Sequence, residues 1–173
     1  KGQKVMTFSS SDSTREDGCR RIAYVGNTHN YQDGAQLTEA LCEKLGYSGK
    51  VAVLVGNQGA PCHEDRALGA RNVIAQYPDM EMVAQQTANW SREEALSLVE
   101  NWIETFGGKI DAVVAQNDEM ALGAIQALEA AGVKDKVVVT AVDAIKDGCN
   151  AVKEGKLLGT VYQDAALEGQ EAV

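Results

Sequence analysis

The sequence predicts an α/β fold, a Rossmann-like lobe of three layers with a mainly parallel sheet, and three observations carry that expectation. Short apolar runs rich in β-branched residues, at 50–55, 110–115 and 137–142, are nearly continuous rather than alternating, the pattern of strands buried on both faces. Stretches with apolar residues at three- and four-residue spacing separate them, so strands alternate with helices. The run Ile110-Asp111-Ala112-Val113-Val114-Ala115 then turns abruptly polar, at Gln116-Asn117-Asp118-Glu119, before a helical stripe of Met120, Ala121, Ala124, Ile125 and Leu128 begins. In an open parallel sheet ligands bind in the crevice outside the carboxyl ends of the strands. Asn117 and Asp118 are therefore the first candidates for ligand contact, although capping of the new helix explains the same two residues equally well. Asp118 is the expected cap and Gly132 the expected stop.

The remaining elements follow in order. Lys4 to Phe8 reads as a short strand, 9–18 as a polar loop and 21–25 as a second strand. After the turn cluster Gly26-Asn27-Thr28-His29-Asn30, the residues Ala35, Leu37, Leu41 and Leu45 give a helical stripe that ends at Gly46. A strand at 50–55 leads into a glycine-containing loop at 56–62 and a helix at 64–77 stopped by Pro78. The next strand is 80–86. Ser91 caps a helix that reaches about Phe106, with Glu94 at the capping-box position and Ala95, Leu98, Val99 and Trp102 on one face. Beyond the strand at 137–142 come a short helix at 145–154, a last strand at 158–163 and a helix from Leu167 whose pattern is still running at Val173. The opening pair of strands has no helix of its own before it. Both ends therefore read as cut from a longer protein.

A chain of 173 residues suits one domain, or one large lobe and part of another. Its net charge of -9, without any basic cluster, argues against nucleic acid or anionic lipid as a partner and favours a neutral or polar small ligand. No apolar run approaches membrane-spanning length, and Lys1-Gly2-Gln3-Lys4 opens without a signal-peptide core. Cys19, Cys42, Cys62 and Cys149 contain no C-x-x-C pair, so neither a zinc nor a redox site is expected. Buried or incidental thiols, or one disulfide in an exported protein, fit them better. Gly56-Asn57-Gln58-Gly59-Ala60-Pro61 lacks the Gly-Lys-Ser/Thr ending of a phosphate loop. His63 beside Cys62 has only His29 as another histidine, and no nucleophile elbow occurs. Neither catalysis nor a cofactor is expected.

Several stretches carry a resemblance. Ala115-Gln116-Asn117-Asp118-Glu119-Met120-Ala121-Leu122-Gly123-Ala124, Val138-Val139-Thr140-Ala141-Val142-Asp143 and Gly159-Thr160-Val161-Tyr162-Gln163 are three of them. Arg21-Ile22-Ala23-Tyr24-Val25-Gly26 and Asn30-Tyr31-Gln32-Asp33-Gly34 are two more. Together they resemble the sugar-binding proteins of ABC importers, most closely the ribose-binding type, within the type I periplasmic binding proteins. The resemblance implies two α/β lobes that close on a monosaccharide and deliver it to a membrane permease, in an exported protein of the periplasm or an extracellular lipoprotein. It divides the chain into remnant strands of the first lobe and a hinge crossing over 1–29, the second lobe over 30–163, and the start of the return over 164–173.

The resemblance also assigns residues. Arg66 takes the place of an arginine whose fork grips sugar hydroxyls, a role suited to its fixed set of donors, against the plainer reading of a surface salt bridge with Glu64 or Asp65. Asn117 and Asp143 match an amide and a carboxylate that bond hydroxyls from adjacent strand ends. Gln163 matches a glutamine where the chain recrosses the hinge. Trp90 falls where an aromatic residue lies against the sugar, with a place in the core as its alternative. Ser9 and Ser10 stand where the family commonly has Asp followed by Arg, and they join Asn30 as weaker or hinge candidates. Val142 replaces an aromatic residue and Ala144 a glycine, which implies a wider pocket floor and leaves the sugar unnamed. The closest rival function is the effector core of a lactose-repressor-type regulator, which would carry a helix-turn-helix upstream. The unpaired edges of the remnant strands imply that they join the second-lobe sheet, pair between two chains or swap, and a homodimer is expected on that ground.

Overall fold

The computed structural model describes residues 4–8, 20–25, 29–164, 166 and 170. β1 (Lys4–Phe8) and β2 (Arg20–Val25) pair with each other in parallel, with a register slip between Val5 and Met6. Neither joins the larger sheet, so the first of the arrangements expected for these strands is not formed: they make a two-stranded sheet of their own. The expected loop at 9–18, Ser9 and Ser10 with it, and most of the helix from Leu167 lie outside the described residues.

From residue 30 the alternation is regular. The elements are α1 (Asn30–Lys44), β3 (Gly49–Val55), α2 (Pro61–Ile74), β4 (Met80–Thr87), α3 (Arg92–Thr105), β5 (Ala112–Ala115), α4 (Asp118–Ala130), β6 (Val138–Asp143), α5 (Lys146–Lys153) and β7 (Gly159–Tyr162). The five later strands form one parallel sheet in the order β4-β3-β5-β6-β7. Successive side chains of a strand point to opposite faces, and β3 shows the consequence. Val51, Val53 and Val55 pack with Leu41, Cys42, Ala67 and Val73 of α1 and α2, while Ala52 and Leu54 pack with Val99, Met120 and Ala124 of α3 and α4. Both faces are covered, which is why the strands read as continuous apolar runs.

The boundaries shift for local reasons. α2 starts at Pro61, inside the expected loop, because proline at the first helical position has no N–H to leave unbonded. It ends at Ile74, and Gln76 and Tyr77 close tighter turns on Val73 and Ile74 ahead of Pro78. Gly46 and Gly132, both at φ +67°, terminate α1 and α4 as expected. The cap of α4 is Asn117 and not Asp118. Asn117 is the last extended residue, so its Oδ1 reaches the Met120 N–H at 3.0 Å, whereas Asp118 already lies in the first turn. Ser91 caps α3 by accepting from the Glu94 N–H at 3.3 Å, but the Glu94 carboxylate takes the Asn89 Nδ2 instead of completing a capping box.

One topological step positions the site. β4 lies on one side of β3 and β5 on the other, so the direction of strand addition reverses at β3. At such a switch point the connections diverge, and a crevice opens between the carboxyl ends of β3 and β5.

Candidate ligand-binding site

Gln116 leaves the end of β5 and bridges this crevice at its base. Its Oε1 accepts from the Gly56 N–H beyond β3 at 2.9 Å, and its Nε2 donates to the His63 carbonyl oxygen of α2 at 2.9 Å. His63 in turn donates through Nδ1 to the Gly56 carbonyl oxygen at 2.8 Å. The buried histidine thus serves the loop. Cys62 beside it is a free thiol, as are Cys42 and Cys149, and Cys19 lies outside the described residues. Among the described residues no three His, Cys, Asp or Glu side chains group closely enough to hold a metal ion.

Arg66 is the charged centre. It is only 7% exposed, and among the described residues it makes no ion pair with Glu64 or Asp65, so the surface salt bridge is not formed. Its Nε donates to Asn30 Oδ1 at 3.1 Å and its Nη1 to the Gln116 carbonyl oxygen at 2.7 Å. Nη2 bonds to none of the described residues. Asn30 therefore acts on the arginine, holding its fork. The two side chains meet because α1 and α2 cross closely: a Cβ on Gly34 would lie 2.2 Å from the Arg66 carbonyl oxygen, and one on Gly69 would lie 2.3 Å from that of Tyr31.

Asp143 ends β6 within the field of Arg66. Burial pushes its carboxyl up to about 6, the Arg66 charge holds it down, and the Asp118 charge raises it further. Its backbone sits at φ +117°, followed by Ala144 at φ +54°, a region that L-residues enter at a cost. Asn117 also faces this end of the sheet. Its Oδ1 is engaged by the Met120 N–H, so what the side chain has left to offer is chiefly the Nδ2 donor, and both donor and acceptor are not equally free. Asp118 is 0% exposed and cannot touch a ligand in the crevice. Its carboxylate instead accepts from the Ile145 N–H at 2.8 Å and the Thr160 hydroxyl at 2.7 Å.

Trp90 has the core packing of its alternative reading. Its half-buried indole packs against the α3–α4 core and covers Gly56, where a Cβ would lie 1.9 Å from Cζ2. It therefore stands at the end of β3, beside Thr87, whose hydroxyl donates to the Gly56 carbonyl oxygen at 2.6 Å. Gln163 donates through Nε2 to Asp33 Oδ2 at 3.0 Å, and its backbone N–H lies 3.4 Å from the Asp143 carbonyl oxygen. The structure thus gathers Arg66, Asn30, Asn117, Asp143 and Gln163 at one end of the sheet, with Trp90 beyond β3. It adds Gln116 and Asp33, which sequence reasoning did not single out as site residues. The signal for Gln116 was its place directly after a fully buried strand. A hollow of about 760 Å³ opens at the opposite end, by the start of β6, but Lys134 and Lys156 on its wall already bond the Val137 carbonyl oxygen and Glu129 with Glu154.

Comparison with known proteins agrees with this fold. A family model described as the periplasmic binding protein domain matches residues 1–173. The xylitol-binding protein of Mycolicibacterium smegmatis is 44% identical over 135 residues, covering 78% of this chain and 38% of that protein. The ribose import binding protein of Bacillus subtilis is 34% identical over 171 residues, covering 99% of this chain and 53% of that protein. Among solved structures, a periplasmic solute-binding protein from Actinobacillus succinogenes with bound D-allose superposes with a TM-score of 0.87 at 34% identity, over 98% of this chain and 59% of that one. One from Bacillus halodurans with bound myo-inositol gives 0.86 at 38% identity, over 94% and 55%. The chain spans about half the length of the curated relatives it matches. With its fold, its crevice and these matches in agreement, the chain belongs to the periplasmic binding protein domain family.

Proposed function

We propose that this chain is part of a solute-binding component of an ABC importer, binding a monosaccharide or related polyol between two lobes for delivery to a membrane permease. The observation that carries it is Arg66. A buried guanidinium anchored through Nε and Nη1, with the Asp143 carboxyl within its electrostatic reach, supplies fixed donors in the same region as an acceptor. Adjacent hydroxyls of a neutral polyol match that pairing, each accepting at the arginine and donating at the carboxylate. The two opposite charges offset each other, which favours a neutral ligand over a phosphorylated or acidic one. Xylitol, ribose, D-allose and myo-inositol, the compounds named for the relatives, share this chemistry.

On this reading residues 30–163 form the second lobe, 1–29 belong to the first lobe and its hinge crossing, and 164–173 begin the return. The pairing of β1 with β2, apart from the main sheet, supports the division. Ser9 and Ser10 would then face the ligand from the first lobe. Export to the periplasm or the outer face of the membrane, the permease as partner, and ligand-driven hinge closure belong to the same reading. The relatives are binding and import proteins, so the regulator alternative is not carried forward.

Thermal unfolding of the two-lobed protein against D-ribose, D-allose, xylitol and myo-inositol tests the proposal. Ligand at about a hundred times its dissociation constant stabilises by roughly 2.7 kcal/mol, which moves the midpoint by several degrees. A shift with one of them is expected and names the substrate class. The absence of any shift across pentoses, hexoses and polyols would overturn the proposal.

A further inference from the structure

We propose that Asp118 is a positioning residue for ligand binding: through Thr160 and the backbone of Ala144 and Ile145, it holds the turn that aims the Asp143 carboxylate into the crevice. The inference deepens the proposed function and rests on the reading that Asp143 touches the ligand. Asp118 Oδ2 accepts from the Ile145 N–H at 2.8 Å, and Oδ1 accepts from the Thr160 hydroxyl at 2.7 Å. The Thr160 hydroxyl oxygen itself accepts from the Ala144 N–H at 3.0 Å. One carboxylate therefore clasps three elements: the start of α4 that carries it, the turn between β6 and α5, and β7. The clasped amides belong to the two residues that directly follow Asp143.

That turn needs holding. Asp143 and Ala144 sit at φ +117° and +54°, and such backbone persists only where its surroundings over-determine it. Room for the clasp is built in, because a Cβ on Gly148 would lie 2.1 Å from Asp118 Oδ2. The alternative, that Asp118 merely complements the helix dipole, does not account for its burial. Glu119 serves that purpose from a half-exposed position while pairing with Arg92. Sealing a carboxylate away from water is costly, and burial raises the pKa of Asp118 against the pull of its hydrogen bonds.

The test uses the two-lobed protein and whichever of D-ribose, D-allose, xylitol and myo-inositol gives the largest thermal shift. Calorimetry compares the parent, Asp118→Asn, Asp143→Asn, the double variant and Thr160→Val. Asp118→Asn should weaken binding about tenfold, as expected for losing a well-placed bond to a charged group, and Thr160→Val should weaken it in the same direction. In the Asp143→Asn background the further loss should shrink to about twofold or less, because the turn then aims an uncharged amide whose bond to the ligand is weaker. Unchanged affinity in Asp143→Asn removes the underlying reading and this inference with it. A loss in Asp143→Asn with none in Asp118→Asn, or fully additive losses, overturns the positioning role alone. Hydrogen exchange adds an arm that needs no ligand. The Ala144 and Ile145 amides should lose protection in both Asp118→Asn and Thr160→Val, while the Ala124 and Ile125 amides within α4 keep theirs. Retained protection at Ala144 and Ile145 also overturns it.

Discussion

A half-buried carboxylate poised at about 6 opposes the fold that carries it. Asp143 binds its proton more tightly in the folded chain than in the unfolded one, so the folded state holds the extra proton between about 4 and 6. Stability is therefore lost as pH rises through that window, and the penalty is complete above it. Asp143→Asn removes the charge without changing the shape. It should stabilise the protein by about 1–3 kcal/mol at pH 7.5, an advantage that fades towards pH 4, while weakening ligand binding by about 1–3 kcal/mol. Thermal unfolding at the two pH values, with and without ligand, reads both effects. An equal advantage at both pH values would mean that ionisation at Asp143 is not what destabilises the fold. Such opposition is common where a site demands a group that the core would reject. The types of Asn117, Asp143 and Arg66, and their places after strands or in a helix, were legible in the sequence. The buried role of Asp118 was not, because its partners Ile145 and Thr160 lie 27 and 42 residues further on and only folding brings them to it.

Among elements, the crossing of α1 and α2 decides where the guanidinium lies. In the sequence Gly34 and Gly69 are simply poor helix formers, each a weakness in an otherwise regular pattern. In the fold they are the points at which one helix touches the backbone of the other. Gly34→Ala should therefore destabilise by about 1–3 kcal/mol despite the better helix propensity of alanine, because the new methyl meets the Arg66 carbonyl oxygen and not a yielding side chain. It should also weaken ligand binding, since separating the helices draws Asn30 away from Arg66 Nε. Denaturant unfolding and calorimetry on the same variant measure both consequences. Increased stability would show that the helices separate at no cost. Helix and strand existence followed from periodicity throughout, and the errors fell at boundaries where one side chain decides. Pro61 admitted an earlier start to α2, and Asn117 took the capping role one residue before Asp118.

At the scale of the molecule, continuous apolar runs implied a sheet covered on both faces, and their alternation with helices implied that it is parallel. The order β4-β3-β5-β6-β7 is not written in any local pattern, since it depends on which neighbour each strand finds across the whole chain. The crevice it creates has one described wall. On the proposed function Arg66, Asn117 and Asp143 would reach a ligand from that side alone, so the chain by itself would leave the far half of a polyol in water. β1 and β2 pair only with each other among the described residues, and a two-stranded sheet is marginal without further strands or a covering helix. The 173-residue chain alone should therefore bind D-ribose, D-allose, xylitol and myo-inositol more weakly than about 1 mM, too weak to offset the cost of immobilising them, and should self-associate through the β1–β2 strands. Calorimetry and light scattering on the chain decide the two points separately. Micromolar binding by a monomer would mean that the single wall suffices, and hinge closure between two lobes would then lose its role in holding the ligand.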